Sequence, residues 1–293
     1  MAVSSTTTSK VQEQQEKKVS VDFFHIDMIP NAMRKMGWEI APELMEHWFK
    51  ISPAYSFDGE SKYDSLSRDA RTLPPERVNV DIVKMDWAIK YEQVASGIQK
   101  LKNSWNTDKS RSLLKGRLIQ LGYNLKKIET IGMSEDVTFL DATAQVNFMR
   151  IGSKADTVND WYGAIGNANL KVCLRGCVNH DGGNFIVNVD ALGFYLKDTY
   201  DFLDDDFLGL HIPELLGVWS KSRILNKAET LVYMSSYIQG VFGLLAREFS
   251  GFVPVFNSDF RKWREKHNSG GDFIVFSDVL WISPLEKDRV IKL

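Results

Sequence analysis

The chain has little of what usually marks a function. Among 293 residues there are two cysteines, five histidines and eight prolines, and 36 basic side chains nearly cancel 38 acidic ones, leaving a formal charge of -2. The two cysteines exclude a disulfide framework and fit a reducing cytoplasm. Cys173 and Cys177 sit four apart in one apparent strand, where Cα atoms are about 13 Å apart, too far to bridge. They read as small hydrophobes. The histidines, at positions 25, 47, 180, 211 and 267, form no pair at ligand spacing, and no second cysteine pair exists, so zinc is not expected. The balanced charge and the lack of a long basic run argue against a nucleic-acid partner. Gly163-Ala164-Ile165-Gly166 lacks the Lys-Ser/Thr of a phosphate cradle, and no serine has a nucleophile elbow around it. Residues 1–18, rich in Ser, Thr, Gln and Lys, hold no apolar segment and read as a disordered arm rather than a Sec signal.

With 44% apolar residues, the chain has enough for a sizeable core. Residues 19–126 read as mainly helical. Pro30 and Pro42 open two short helices, and Leu44, Met45, Trp48 and Phe49 form one apolar face. Ile51 to Glu76, with three prolines and little periodicity, reads as a long surface loop. Val78 to Ile82 is a candidate strand, and Met85 to Leu101 a single amphipathic helix. A further helix starts with Thr107 or Asp108 as N-cap and stops at Gly122. Residues 127–293 turn to β-like runs with additional helices. The expected fold is α+β, an N-terminal mainly helical part packed on a C-terminal mainly antiparallel β part. Thr230 to Ala246 is uncharged, at about the 17-residue lower limit for a membrane span, and its serines, glutamine and glycines favour a core helix.

What stands out is a hairpin and its end. Leu170 to Val178 and Phe185 to Tyr195 are apolar, β-branched and aromatic runs around the turn Asn179-His180-Asp181-Gly182-Gly183-Asn184. The second run delivers Lys197-Asp198-Thr199-Tyr200-Asp201-Phe202. In an extended chain Asp198 and Tyr200 share a face, and Asp201 joins them only if the chain turns after Tyr200. Two carboxylates at one spot suit Mg²⁺ and base chemistry on phosphate esters. Asp198 and Asp201 are the candidate metal ligands, with Asp201 alternatively a general base and Tyr200 a positioning or proton-donating group. Arg261, Arg264 and His267, at three-residue spacing on a C-terminal helix, are the candidate positive side, with Arg264 as anion clamp.

Gly193 to Phe202, preceded by the glycine-rich turn, resembles the Asp-x-Tyr-Asp-Phe segment of colicin M and related bacteriocins. Those proteins are Mg²⁺-dependent phosphodiesterases that cleave the lipid-linked peptidoglycan precursor. Their Tyr-Asp pair is soon followed by adjacent His and Arg, whereas here the nearest histidine is His211, followed by Ile212. Over most of its length the chain more closely resembles an uncharacterised bacterial domain family often encoded beside type VI secretion components. That resemblance rests on Asp198 to Phe202, on Leu216-Gly217-Val218-Trp219, on Gly270-Gly271-Asp272-Phe273 and on Phe276-Ser277-Asp278-Val279. It implies an antibacterial effector, cytoplasmic in the producing cell and delivered to the periplasm of a target, with a secretion spike or adaptor protein and an immunity protein as partners. Two other roles stay open: a non-enzymatic adaptor or cargo module, and a membrane-permeabilising toxin acting through Thr230 to Ala246.

Overall fold

Pro30 and Pro42 do what their positions suggest. Pro30 lies in the first turn of α1 (Ile29–Lys35) and Pro42 in that of α2 (Ile40–Lys50), whose Leu44, Met45 and Trp48 are buried. The computed structural model describes residues 24–123, 128–153, 155–181, 183–203, 206–207, 210–211 and 214–293. The arm expected over residues 1–18, Asp204 and Asp205 of the acidic patch that follows Asp201 in the sequence, and the His211 side chain lie outside what is described. The free N–H groups of α2 are satisfied from a distance: Asp160 accepts from Glu39, Ile40 and Ala41 at 2.9, 3.0 and 2.8 Å.

The span read as a surface loop contains a helix, α3 (Gly59–Ser67). It has almost no apolar stripe, so its periodicity is silent. It is started by a capping box in which Asp58 accepts from the Ser61 N–H while the Ser61 hydroxyl accepts from the Asp58 N–H. β1 (Val78–Val83) follows. The single helix expected over Met85 to Leu101 is broken into α4 (Met85–Ala88) and α5 (Glu92–Ser104). Tyr91 between them is extended, and the cause is tertiary. Trp87 stacks on Trp161 at 5.9 Å and donates its indole N–H to Asp160, while Tyr91 packs on the same Trp161 at 5.7 Å. α6 (Asp108–Gln120) is capped by Thr107 and ends before Gly122 (φ +76°), as its sequence suggests.

The β-like region holds β2 (Glu129–Ile131), a helix not foreseen, α7 (Val137–Thr143), then β3 (Gln145–Ile151) and α8 (Asp160–Ala164). The hairpin is β4 (Ala168–Asp181) and β5 (Asn184–Tyr200), longer than its apolar runs alone predict. Its register shifts between Arg175 and Gly176, where a Cβ on Gly176 would stand 2.0 Å from the Asn188 carbonyl oxygen. Beyond it come β6 (Asp206–Phe207), β7 (Leu210–His211), β8 (Leu215–Trp219), α9 (Lys227–Ile238), α10 (Phe242–Glu248), β9 (Val253–Phe256), α11 (Asn257–His267), β10 (Phe273–Ser277), β11 (Leu280–Ile282) and β12 (Val290–Lys292).

The result is a mixed α+β fold. Among the described residues eight strands form one sheet with β1-β10-β5-β4-β2 as its spine. β3 pairs with β4, and β11 and β12 pair along β5. β1 runs parallel to β10 and the other pairings are antiparallel. One apolar cluster runs from Ile29 to Ile291 and joins the N-terminal helices to the sheet. Both cysteines are free.

Thr230 to Ala246 is not one core helix. It breaks at Gly240 (φ +71°) into α9 and α10, which cover a small separate cluster of Val218, Leu225, Tyr233 and Leu245. Leu231, Ile238 and Phe242 are 70, 78 and 63% exposed. No helix among the described residues is long and apolar enough to cross a membrane.

Candidate functional site

The end of β5 is held by β10, with Asp198 opposite Val275 and Tyr200 opposite Phe273. Strand alternation puts Leu196, Asp198 and Tyr200 on one face and Lys197 and Thr199 on the other. The Tyr200 ring is buried, stacked on Phe273 at 5.4 Å and edge-on to Phe202 at 5.7 Å. The chain then turns, with the Leu203 N–H donating to Asp201 at 3.3 Å. That turn brings Asp201 round to the side of Asp198 and Tyr200, and all three line one cleft of about 550 Å³.

Asp198 has no side-chain hydrogen-bond partner among the described residues. Burial pushes its carboxyl up to about 7; the Thr199 N–H and the charges of Lys62 and Arg150 pull it down, and Asp201 adds to the upward push. Asp201 is engaged differently. The Lys62 ammonium bridges its two oxygens at 2.9 and 3.1 Å, and the Asp201 side chain is buried. Lys62 stands on α3, inside the stretch whose lack of periodicity predicts a loop, and its ammonium faces these carboxylates. The Asp58-to-Ser61 spacing is the signal that could have placed it on a helix.

The opposite wall is apolar, with Trp38, Leu216, Trp219 and Ile224, and Arg150 stands exposed at its lip. Trp219 meets Trp38 edge-on at 6.1 Å, so the Leu216-to-Trp219 motif builds cleft wall. Asn257, 2% exposed, also lines the cleft. Its amide NH₂ donates to the Leu203 carbonyl at 2.7 Å and to Glu214 at 3.3 Å, while its Oδ1 finds no partner among the described residues.

Arg264 and His267 are not brought to this cleft. The Arg264 guanidinium is inside, donating to the Tyr55 carbonyl (3.1 Å), the Ser56 hydroxyl (2.8 Å) and Asp272 (3.3 Å). Asp272 in turn accepts from the Trp48 indole (2.8 Å) and the Phe57 N–H (2.9 Å). The Gly270-to-Phe273 motif thus anchors the Tyr55–Phe57 segment to the sheet. Arg264→Ala is expected to lower stability by about 2–3 kcal/mol, because Asp272 stays buried without its counter-charge. Urea unfolding checks this, and a loss below about 0.5 kcal/mol would show that the pair carries no weight. His267 is exposed and stacked on Trp263 at 4.5 Å. Arg261 reaches the region from behind, donating to the Phe202 carbonyl at 3.0 Å.

Mg²⁺ at Asp198 and Asp201 can be tested against the donors themselves. Asp201 gives both oxygens to an ammonium, and among the described residues no three His, Cys, Asp or Glu side chains converge. Among the described residues that donor set does not fit a resident Mg²⁺. What the arrangement can do is proton transfer: a desolvated carboxyl group titrating near neutrality beside two cations.

The family described as Family of unknown function (DUF6402) matches residues 24–293, and the chain belongs to it. No curated protein and no solved structure matches the chain.

Proposed function

We propose that the cleft of this family member hydrolyses an anionic ester that carries an apolar group, with Asp198 as general acid. The observation that carries the reading is Asp198 itself, a carboxyl group pushed up to about 7 on the wall of a cleft, with no side chain among the described residues spent on it. An ordinary aspartate holds almost no proton at neutral pH, whereas this one is protonated about half the time and can give that proton to a departing alkoxide. Lys62 and Arg150 bring positive charge to the anionic part of the substrate, and Lys62 also holds Asp201 in place. Trp38, Leu216 and Trp219 suit the apolar part. Water supplies the attacking oxygen, the ester bond breaks as Asp198 protonates the leaving oxygen, and the proton that the water loses passes to solvent, from which Asp198 is reprotonated.

The colicin M-like segment supports a lipid-linked peptidoglycan precursor as that substrate. The apolar face of α9 and α10 is consistent with a substrate that sits in a membrane, since β8, which pairs with β9 just beyond them, contributes Leu216 and Trp219 to the cleft. The setting suggested by the sequence resemblance is a type VI secretion-associated antibacterial effector, carried by a spike or adaptor protein to a target periplasm and held in check by an immunity protein. Purified protein and purified lipid II provide the test, read as release of the free lipid alcohol. We expect release that declines as pH rises through about 7, where Asp198 loses its proton. No release at any pH from 5 to 8 would sink the hydrolase and leave the adaptor role.

A further inference from the structure

A second cavity of about 980 Å³ lies beyond α3, sharing Tyr63, Leu66 and Asn169 with the cleft wall. The chain as a whole is nearly neutral, yet this cavity is lined by six cationic side chains and two acidic ones. At its floor cations from three elements gather around Asp141, two of them on its carboxylate. Lys171 of β4 and Lys197 of β5 both donate to Asp141 of α7, the latter at 2.7 Å. Arg117 of α6 donates to the Asp141 carbonyl and to Gln145, each at 2.9 Å. The Lys197 side chain is only 2% exposed and that of Lys171 14%.

Among the described residues no other group at the floor balances these charges. The Tyr195 hydroxyl donates to Asp141 at 2.5 Å, and burial together with that carboxylate holds the phenol well above its usual range, hence neutral. Burial and Asp141 push the Cys173 thiol up to about 12, so it is neutral too. At the rim Arg68 is paired with Asp64 and Arg71 with Asp69. Each lysine ammonium has three N–H donors and spends one on Asp141. Burial lowers Lys171 to about 8, Asp141 opposes that, and Lys197 and Arg117 add to the lowering. Exposed Leu113, Leu121 and Phe148 on the same lining offer contact to an organic body.

We propose that this cavity binds a phosphorylated organic ligand, whose anionic group sits on Lys171, Lys197 and Arg117 and supplies the charge that Asp141 alone does not. Buried cations with unspent donors facing a polar cavity are what a phosphate oxygen satisfies. The inference does not depend on the chemistry assigned to Asp198.

Calorimetric titration of the full chain with inorganic pyrophosphate, at ionic strength held constant with sodium chloride, is expected to show saturable single-site binding. Lys171→Gln should weaken it at least about tenfold and Lys171→Arg should restore it to within about threefold, while Lys62→Gln in the neighbouring cleft should leave it within about twofold. Because a variant at a buried lysine can fail to fold, wild-type amines are also acylated and mapped by mass spectrometry. Pyrophosphate should slow acylation of Lys171 about tenfold relative to exposed Lys90. Binding that is absent up to about 10 mM, unchanged by Lys171→Gln, or lost in Lys62→Gln overturns the proposal.

Discussion

Asp198→Asn is expected to abolish lipid II cleavage and, at the same time, to make the protein more stable at pH 8. In the unfolded chain this carboxyl loses its proton near pH 4, whereas in the folded protein it keeps it until about 7. Between those values the folded state holds a proton that the unfolded state has released. Stability therefore falls as pH rises through the window from about 4 to 7, and above it the whole cost is present. For a difference of this size the cost is at most about 4 kcal/mol, less whatever solvent in the cleft recovers. Asparagine has no charge to bury, so the variant should gain about 2–4 kcal/mol at pH 8 and close to nothing at pH 4. Urea unfolding of both proteins at pH 4, 6 and 8 reads the difference directly. A gain that does not depend on pH, or a loss at pH 8, would mean that Asp198 is not held protonated by burial. Cleavage should drop by at least about 100-fold, the usual worth of a general acid. Stability surrendered at a position that carries chemistry is the pattern expected of a functional group and not of a structural one.

Asp141→Asn is expected to do the reverse and cost about 3–5 kcal/mol at pH 7. Burial pushes the Asp141 carboxyl up, but the Lys171 and Lys197 ammoniums outweigh it and hold it below the usual carboxylate range. A carboxyl held low in the folded state contributes stability that is present above about pH 4 and lost as pH falls through its folded value. The variant penalty should accordingly shrink toward acid. At neutral pH the carboxamide leaves two buried ammoniums and Arg117 without a counter-charge. Unfolding free energies at pH 7 and pH 3.5 test this, and a loss under about 1 kcal/mol at pH 7 would show that the cluster is solvated well enough not to need its anion. Pyrophosphate at a saturating level should restore part of the loss, since a ligand that binds only the folded state stabilises it by mass action.

Much of the site's local geometry was legible beforehand, because it rests on short-range rules. The β4–β5 hairpin follows from two β-branched runs around a glycine-rich turn, and the shared face of Asp198 and Tyr200 from the two-residue repeat of a strand. The return of Asp201 follows from a turn made by its own neighbours. Other readings failed for identifiable reasons. Arg261, Arg264 and His267 do lie on one helix, but spacing does not say what a side chain meets, and Arg264 meets Asp272. Lys62 is 139 positions from Asp201 and had no apolar periodicity to announce its helix. Met85 to Leu101 looked continuous because Trp161, which helps to hold the break at Tyr91, is far along the chain. The break at Gly240 had its signal in the glycine itself.

The sequence by itself therefore determined the α+β class, the caps, the long hairpin and the delivery of two carboxylates and a phenol to one strand end, all consequences of forces that act over a few residues. Only the tertiary structure decided that Asp201 is paired with Lys62 while Asp198 has no side-chain partner among the described residues, and that Lys171 and Lys197, lone lysines in apolar strands, share Asp141. Charge and desolvation depend on distance through space, and the groups that set them here come from helices and strands tens to more than a hundred positions apart.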